Sequence, residues 1–239
     1  MQPLHLDNVS ASYGGARVIG PLSVTIRPGE RVALVGRSGA GKSTLLGLMY
    51  DRWRAQCALL PQQLGLVETL SVFHNVYMGR LAAESTWYNL RNLAWPARRE
   101  VRAVTALLEE LAMADKLRAR VGELSGGQRQ RVAAARAIYQ GAQMLLADEP
   151  VSALDGPLAE VTMRALTSNY ATAVLAMHDV ELALRFTDRV VGIGDGVVMV
   201  DEASSRLRAA DLLPLYRGEG ETAAGAADTL DDSALSARL

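Results

Sequence analysis

Three stretches of this chain carry residue types at spacings that do chemistry. The first is Gly36–Thr44, GRSGAGKST, which fits G-x-x-x-x-G-K-[ST], the pattern of a glycine-rich phosphate loop. Before it, Arg31–Val35 (RVALV) reads as a short buried strand; after it, Thr44–Met49 (TLLGLM) reads as the start of a helix. A turn so placed aims backbone N–H groups, and the positive end of the helix dipole, at a phosphate. Lys42 is expected to reach the β- and γ-phosphates and the Ser43 hydroxyl to ligate Mg²⁺. Gly36, Arg37, Ser38, Gly39, Ala40, Gly41 and Thr44 complete the expected nucleotide cradle.

The second stretch is Gln143–Pro150, QMLLADEP. An apolar strand ending in Asp-Glu sets two carboxylates at the carboxyl edge of a sheet, beside the phosphate loop. Asp148 suits a hold on Mg²⁺, direct or through water, and Glu149 is the base available to polarise an attacking water. The third is Leu124–Arg129, LSGGQR, which opens a helix carrying Val132, Ala135 and Ile138. A hydroxyl at Ser125 followed by the bare amides of Gly126 and Gly127 makes a second anion site at a helix N-terminus. One nucleotide-binding fold has no evident use for that second site on its own triphosphate.

The elements that must position these groups follow from pattern. Residues 4–35 alternate short apolar runs with turn signals at Gly14-Gly15, Gly20-Pro21 and Pro28-Gly29, which predicts a small β-rich region. Cys57–Leu60 reads as a strand. Residues from about 66 to 125 read as helical, with Val101, Val104, Leu108 and Leu111 on one face of an amphipathic helix over Arg98–Met113. Ahead of it Trp87, Tyr88, Trp95 and Pro96 form an aromatic-rich connection. From residue 143 strands (Met144–Ala147, Ala173–Met177, Val190–Ile193, Val197–Val200) alternate with helices near 157–169 and 179–186, Pro157 fitting a first helical turn. That rhythm implies a parallel sheet covered on both faces. From Gly218 the composition turns to Gly, Ala, Thr and acidic residues, which predicts a disordered tail over 218–239.

Composition sets the outer bounds. Of 239 residues 49% are apolar and 21% charged, and 25 basic against 26 acidic residues leave a formal charge of −1. The balance gives no reason to expect nucleic acid as a partner. The single cysteine, Cys57, excludes an internal disulfide and suits a buried apolar position in a reducing compartment. No run approaches the ~18 apolar residues a spanning helix needs. The expectation is a cytoplasmic chain whose membrane role comes through a partner.

LSGGQ together with GRSGAGKST and LLADEP resembles the ATP-binding subunit of an ABC transporter, over residues from about 4 to 201. The resemblance implies an α/β fold: a P-loop NTPase, RecA-like core with a small antiparallel β lobe and a helical lobe inserted at about 66–135, within one domain over 1–217. It implies that Tyr13 stacks on adenine, that Gln62 links the nucleotide and its Mg²⁺ to the helical lobe, and that His178 contacts the γ-phosphate of ATP. Ser152, Ala153, Leu154 and Asp155 match the loop that meets an opposing subunit. The second anion site then has a use. Two copies pair head to tail in ATP, and Leu124, Ser125, Gly126, Gly127 and Gln128 of each cover the triphosphate on the other.

PQQLGLVETLSVFHNV (Pro61–Val76) and MHDVELALRFTDRVVGIGDGVV (Met177–Val198) resemble the importer ATPases of the phosphonate and phosphate-analogue type. The implied partners are transmembrane permease subunits and, indirectly, an extracytoplasmic solute-binding protein, with the chain peripheral on the inner face of the cell membrane. The alternatives are ATPases of phosphate, amino-acid or lipoprotein-export systems and non-transport members of the superfamily. Two departures from the family pattern stand out. The run from Lys42 to Gln62 is about half the usual interval, and Pro61 replaces the aromatic that often precedes the glutamine. The β lobe is expected to be trimmed there, or closed over by neighbouring strands, and the placement of Gln62 is the open structural question.

Overall fold

The computed structural model describes residues 2–216, so the predicted tail lies outside the described residues. The chain opens with a hairpin, β1 (Leu4–Tyr13) and β2 (Ala16–Ile26), paired antiparallel through the Gly14-Gly15 turn. Both turn glycines have positive φ, as a two-residue hairpin connection requires. β3 (Arg31–Val35) leads through the phosphate loop into α1 (Lys42–Trp53), and one 3-10 turn over Arg54–Gln56 returns the chain to β4 (Cys57–Leu60). Helices follow: α2 (Val72–Tyr77), α3 (Thr86–Ala94), α4 (Arg98–Glu110) and the long α5 (Gly126–Gln140). Then come β5 (Met144–Asp148), α6 (Gly156–Asn169), β6 (Ala173–Ala176), α7 (Val180–Phe186), β7 (Arg189–Gly194), β8 (Val197–Ala203) and a short α8 (Ala209–Leu212).

β4 to β8 and β3 form one six-stranded sheet, ordered β4-β5-β6-β3-β7-β8. All neighbours are parallel except β7 and β8. Burial explains the sheet's composition. In β3, Val32 and Leu34 join the apolar cluster shared with the hairpin and α1, while Ala33 and Val35 join the cluster under α5, α6 and α7. A strand covered on both faces therefore reads as a continuous apolar run rather than an alternating one. Cys57 is buried in β4 and burial pushes its thiol up to about 11, so it behaves as a small apolar residue.

Three sequence expectations need correction. Val197–Ala203 does not continue the parallel sheet; Asp195 and Gly196, both at positive φ, turn it back as an antiparallel edge strand. Gly20-Pro21 is not a turn but an irregularity inside β2, where the pairing slips between Val9↔Leu22 and Ala11↔Ile19; proline, which has no N–H to give the ladder, is tolerated at such a slip. The aromatic-rich stretch is a connection only in part: Ser85 accepts from the Tyr88 N–H and starts α3, which takes in Trp87 and Tyr88, while Trp95 and Pro96 link it to α4. Of the two outcomes expected for the short interval before Gln62, the lobe is trimmed to a single long hairpin. The Gly20 N–H donates to Gly196 O at 2.7 Å and an Arg189 guanidinium N–H to Thr25 O at 2.9 Å, so β2 lies against the β7–β8 edge. Among the described residues no helix is long and apolar enough to cross a membrane.

Candidate nucleotide site

The carboxyl ends of β3, β5 and β6 deliver the chemistry. Gly41 caps α1 at φ 102°, and a Cβ there would stand 2.7 Å from the Ile19 side chain, so the phosphate loop can lie this close to β2 only as glycine. Lys42 is 6% exposed, and its ammonium donates to Gly36 O at 2.7 Å and Arg37 O at 3.1 Å. The lysine thus pins the loop from inside. Burial pushes Lys42 below the ordinary lysine range, against the pull of the Glu149 and Asp148 carboxylates.

β5 ends in Asp148, buried, and the chain turns sharply at Glu149, φ 52°. The Glu149 N–H donates to Ala176 O at 2.9 Å, and its carboxylate lies 2.9 Å from His178 Nε2. His178 leaves β6 just before Asp179, which caps α7 by accepting from the Leu182 N–H. A cavity of about 160 Å³ gathers Lys42, Ser43, Thr44, Gln62, Glu149 and His178. Gln62 therefore reaches the site despite the short run before it. Two α5 groups fix the chain around it: Arg136 donates to Gly65 O at 2.8 Å and to Leu64 O, and the Gln140 amide donates to Cys57 O at 3.1 Å. Arg37, paired with Asp195 at 2.7 Å, sits with Ser38, Gly39 and Ala40 along a neighbouring opening. Tyr13 ends β1, its backbone paired with Ala16.

Ser43 and Gln62 line this cavity, and Asp148 ends β5 directly before Glu149, which lines it too; hydroxyl, amide and carboxylate oxygens are hard donors of the kind that suits Mg²⁺.

The second anion site stands apart. Ser125 caps α5 in a reciprocal box with Gln128: its hydroxyl accepts from the Gln128 N–H, and Gln128 Oε1 accepts from the Ser125 N–H at 3.0 Å. The hydroxyl proton of Ser125 remains available to a ligand. Leu124 is buried beneath the turn, whereas Ser125 and Gly126 are exposed. Gly126 borders a different opening, with Gln62, Ser152 and Ala153, among whose described lining no phosphate-loop residue occurs. At Gly127 a Cβ would stand 2.8 Å from Ala153 O and 2.9 Å from a Leu154 methyl, so the glycine seats the loop Ser152–Asp155 directly on the start of α5. Asp155 in turn caps α6 by accepting from the Leu158 N–H at 3.2 Å.

Pattern reading missed Gln130. Its amide binds Glu149, Ser152 and Ala153, and only the packing of α5 against that loop reveals it.

The family model described as ABC transporter matches residues 19–53 and 49–152, and the two pieces meet where α1 runs into β4 with so little chain between. The chain is 39% identical over 246 aligned residues to the phosphonates import ATP-binding protein PhnC of Pseudomonas putida, covering 90% of each. It is 36% identical over 248 residues to the phosphite import ATP-binding protein PxtA of Stutzerimonas stutzeri, covering 92% of this chain and 89% of that one. A PhnC of Anaeromyxobacter dehalogenans is 37% identical over 252 residues, and the chain spans only 49% of that protein's length. Among solved structures, the dimeric bacterial ABC transporter cassette MJ0796 superposes with a TM-score of 0.73 at 26% identity, over 84% of this chain and 98% of that one.

Proposed function

The chain belongs to the ABC transporter family as one of its ATP-binding cassettes, and we propose that it is the ATP-hydrolysing subunit of an importer for phosphonate or a related phosphorus oxyanion. The observation that carries the chemistry is the single cavity shared by Lys42, Ser43, Gln62, Glu149 and His178. Lys42 leaves its loop carbonyls for the β- and γ-phosphates, an exchange of one set of acceptors for a more highly charged one. Glu149 takes a proton from the water aimed at the γ-phosphorus. His178, 2.9 Å from that carboxylate, orients it and meets the γ-phosphate. Mg²⁺, held by Ser43, Gln62 and Asp148 with phosphate oxygens, would neutralise charge as the β–γ bond opens. Tyr13, at the hairpin end of β1, is the group for the adenine face.

The site is half of a pair. Ser125 and Gly127 are absent from the lining of the Lys42 cavity, which supports the reading the family resemblance implies: they serve the triphosphate of a second copy, with Ser152–Asp155 at the contact. The resemblance to phosphonate and phosphite import proteins supports the oxyanion class, a membrane permease as partner and a peripheral position on the inner membrane face. Solute choice resides in other chains. Steady-state ATP hydrolysis by the purified chain tests the reading. Lys42→Ala and Glu149→Gln should each lower kcat by about 10²-fold or more. Full turnover in Glu149→Gln would remove Glu149 as the base.

A further inference from the structure

Gln130 lies one turn into α5 and is 4% exposed, so its amide needs partners within the protein. It has three. Nε2 donates to Glu149 O at 2.6 Å and to Ser152 Oγ at 3.3 Å, while Oε1 accepts from the Ala153 N–H at 2.9 Å. Ser152 Oγ also donates to Glu149 O at 3.3 Å. A glutamine is suited to this position because it donates and accepts from one neutral head; a glutamate lacks the donor and a methionine lacks both.

The backbone it holds is strained. A non-glycine residue at φ 52° costs on the order of 1 kcal/mol or more and persists only where its surroundings over-determine it. For Glu149 the N–H is fixed by Ala176 O and the carbonyl by Gln130. Those two bonds turn its carboxylate toward His178 and the cavity. Three residues before Gln130, Gly127 has no Cβ and lets Ala153 and Leu154 rest on the helix start. The first turn of α5, the loop Ser152–Asp155 and the Glu149 backbone are thus one bonded unit.

We propose that Gln130 is a positioning residue that couples the Ser125–Gly127 turn, which grips the nucleotide of a second copy, to the backbone of Glu149, which acts on the nucleotide of its own chain. This rests on the ATPase reading above. The coupling is short and direct. A shift of the turn on closing over its partner's nucleotide reaches Glu149 through one buried amide, so the carboxylate is aligned only when the partner site is filled.

The test measures kcat and KM for ATP in the wild-type chain, Gln130→Met and Gln130→Glu, with thermal midpoints recorded alongside. Gln130→Met should lose about 10-fold or more in kcat while KM stays within about twofold, because orientation rather than binding is lost. In Gln130→Glu the introduced carboxyl keeps the acceptor for Ala153. In a buried position it protonates easily and then regains a donor for Glu149, so its kcat relative to wild type should rise as pH falls from about 8 to about 6. A merely structural role would give no such recovery, and this arm still decides the matter if Gln130→Met does not fold. An active wild type with Gln130→Glu at a constant ratio across pH, or with both variants within about twofold of wild type, overturns the role of Gln130 alone. A wild type that turns over no ATP overturns the ATPase reading and this inference with it.

Discussion

Lys42, Glu149 and His178 arrive from three different strand ends, and each is held by a backbone feature that side-chain identity alone does not reveal. Lys42 is tied to Gly36 and Arg37 carbonyls, Glu149 sits at positive φ, and His178 precedes a helix cap. Removing the imidazole leaves Glu149 without its 2.9 Å partner. His178→Ala should therefore reduce kcat by about 10²-fold with ATP binding retained, as measured by equilibrium binding of a fluorescent ATP analogue beside steady-state turnover. At this scale the sequence was informative where spacing itself encodes geometry. GRSGAGKST and LLADEP name their residues because a loop between strand and helix, and an acidic pair at a strand end, leave few places for those groups. Gln130 was not legible, since its three partners come from a loop more than a helix length away in sequence and meet it only after α5 packs against that loop.

α5 is the element that organises the site from both sides. Gln130 holds the Glu149 arm, and Arg136, whose ionisation burial pushes down, holds the Leu64 and Gly65 carbonyls just beyond Gln62. Arg136→Met frees those carbonyls and the segment behind Gln62. Turnover should fall about tenfold or more with little change in ATP affinity. A proteolysis pattern opening near residues 62–66 would accompany it. The helical lobe has its own anchor. Glu100 is nearly buried; burial raises its carboxyl, but hydrogen bonds from Tyr139, Arg99 and Tyr88 outweigh that and hold it below the ordinary range. A lowered folded-state value contributes stability that is present at neutral pH and is lost as pH falls through and below the usual carboxylate range. Glu100→Gln should thus cost about 1–3 kcal/mol near neutral pH by chemical denaturation. The gap from wild type should close under acid. Tyr88 is accordingly a packing residue, whereas Trp87 and Trp95 stand 83% and 77% exposed. Most strands and helices could be read in advance from apolar runs and period. The β7–β8 reversal could not be separated from another parallel crossover without weighing the Asp195-Gly196 pair as a two-residue hairpin turn.

The described residues build a six-stranded sheet whose inner strands are buried on both faces, with the hairpin and α1 on one side and α5, α6 and α7 on the other, and whose edge strand β8 is half-exposed. With the β lobe trimmed between α1 and β4, Gln62 still lines the cavity with Lys42 and Glu149, and α5 bonds the chain on both sides of it. That placement depends on long-range packing, so the gap was visible in the sequence and the position of Gln62 was not. Ser125 and Gly127, exposed and half-exposed, flank Gly126, which lines an opening that holds no phosphate-loop residue among its described lining. The account makes them the other half of a composite site, and the solution mass of Glu149→Gln with and without ATP tests this most directly. Light scattering should report a monomer without nucleotide, a dimer with ATP and Mg²⁺, and a monomer again in ATP when Ser125→Arg is added to the same chain. A mass that stays monomeric in saturating ATP, or a dimer indifferent to Ser125→Arg, would contradict it.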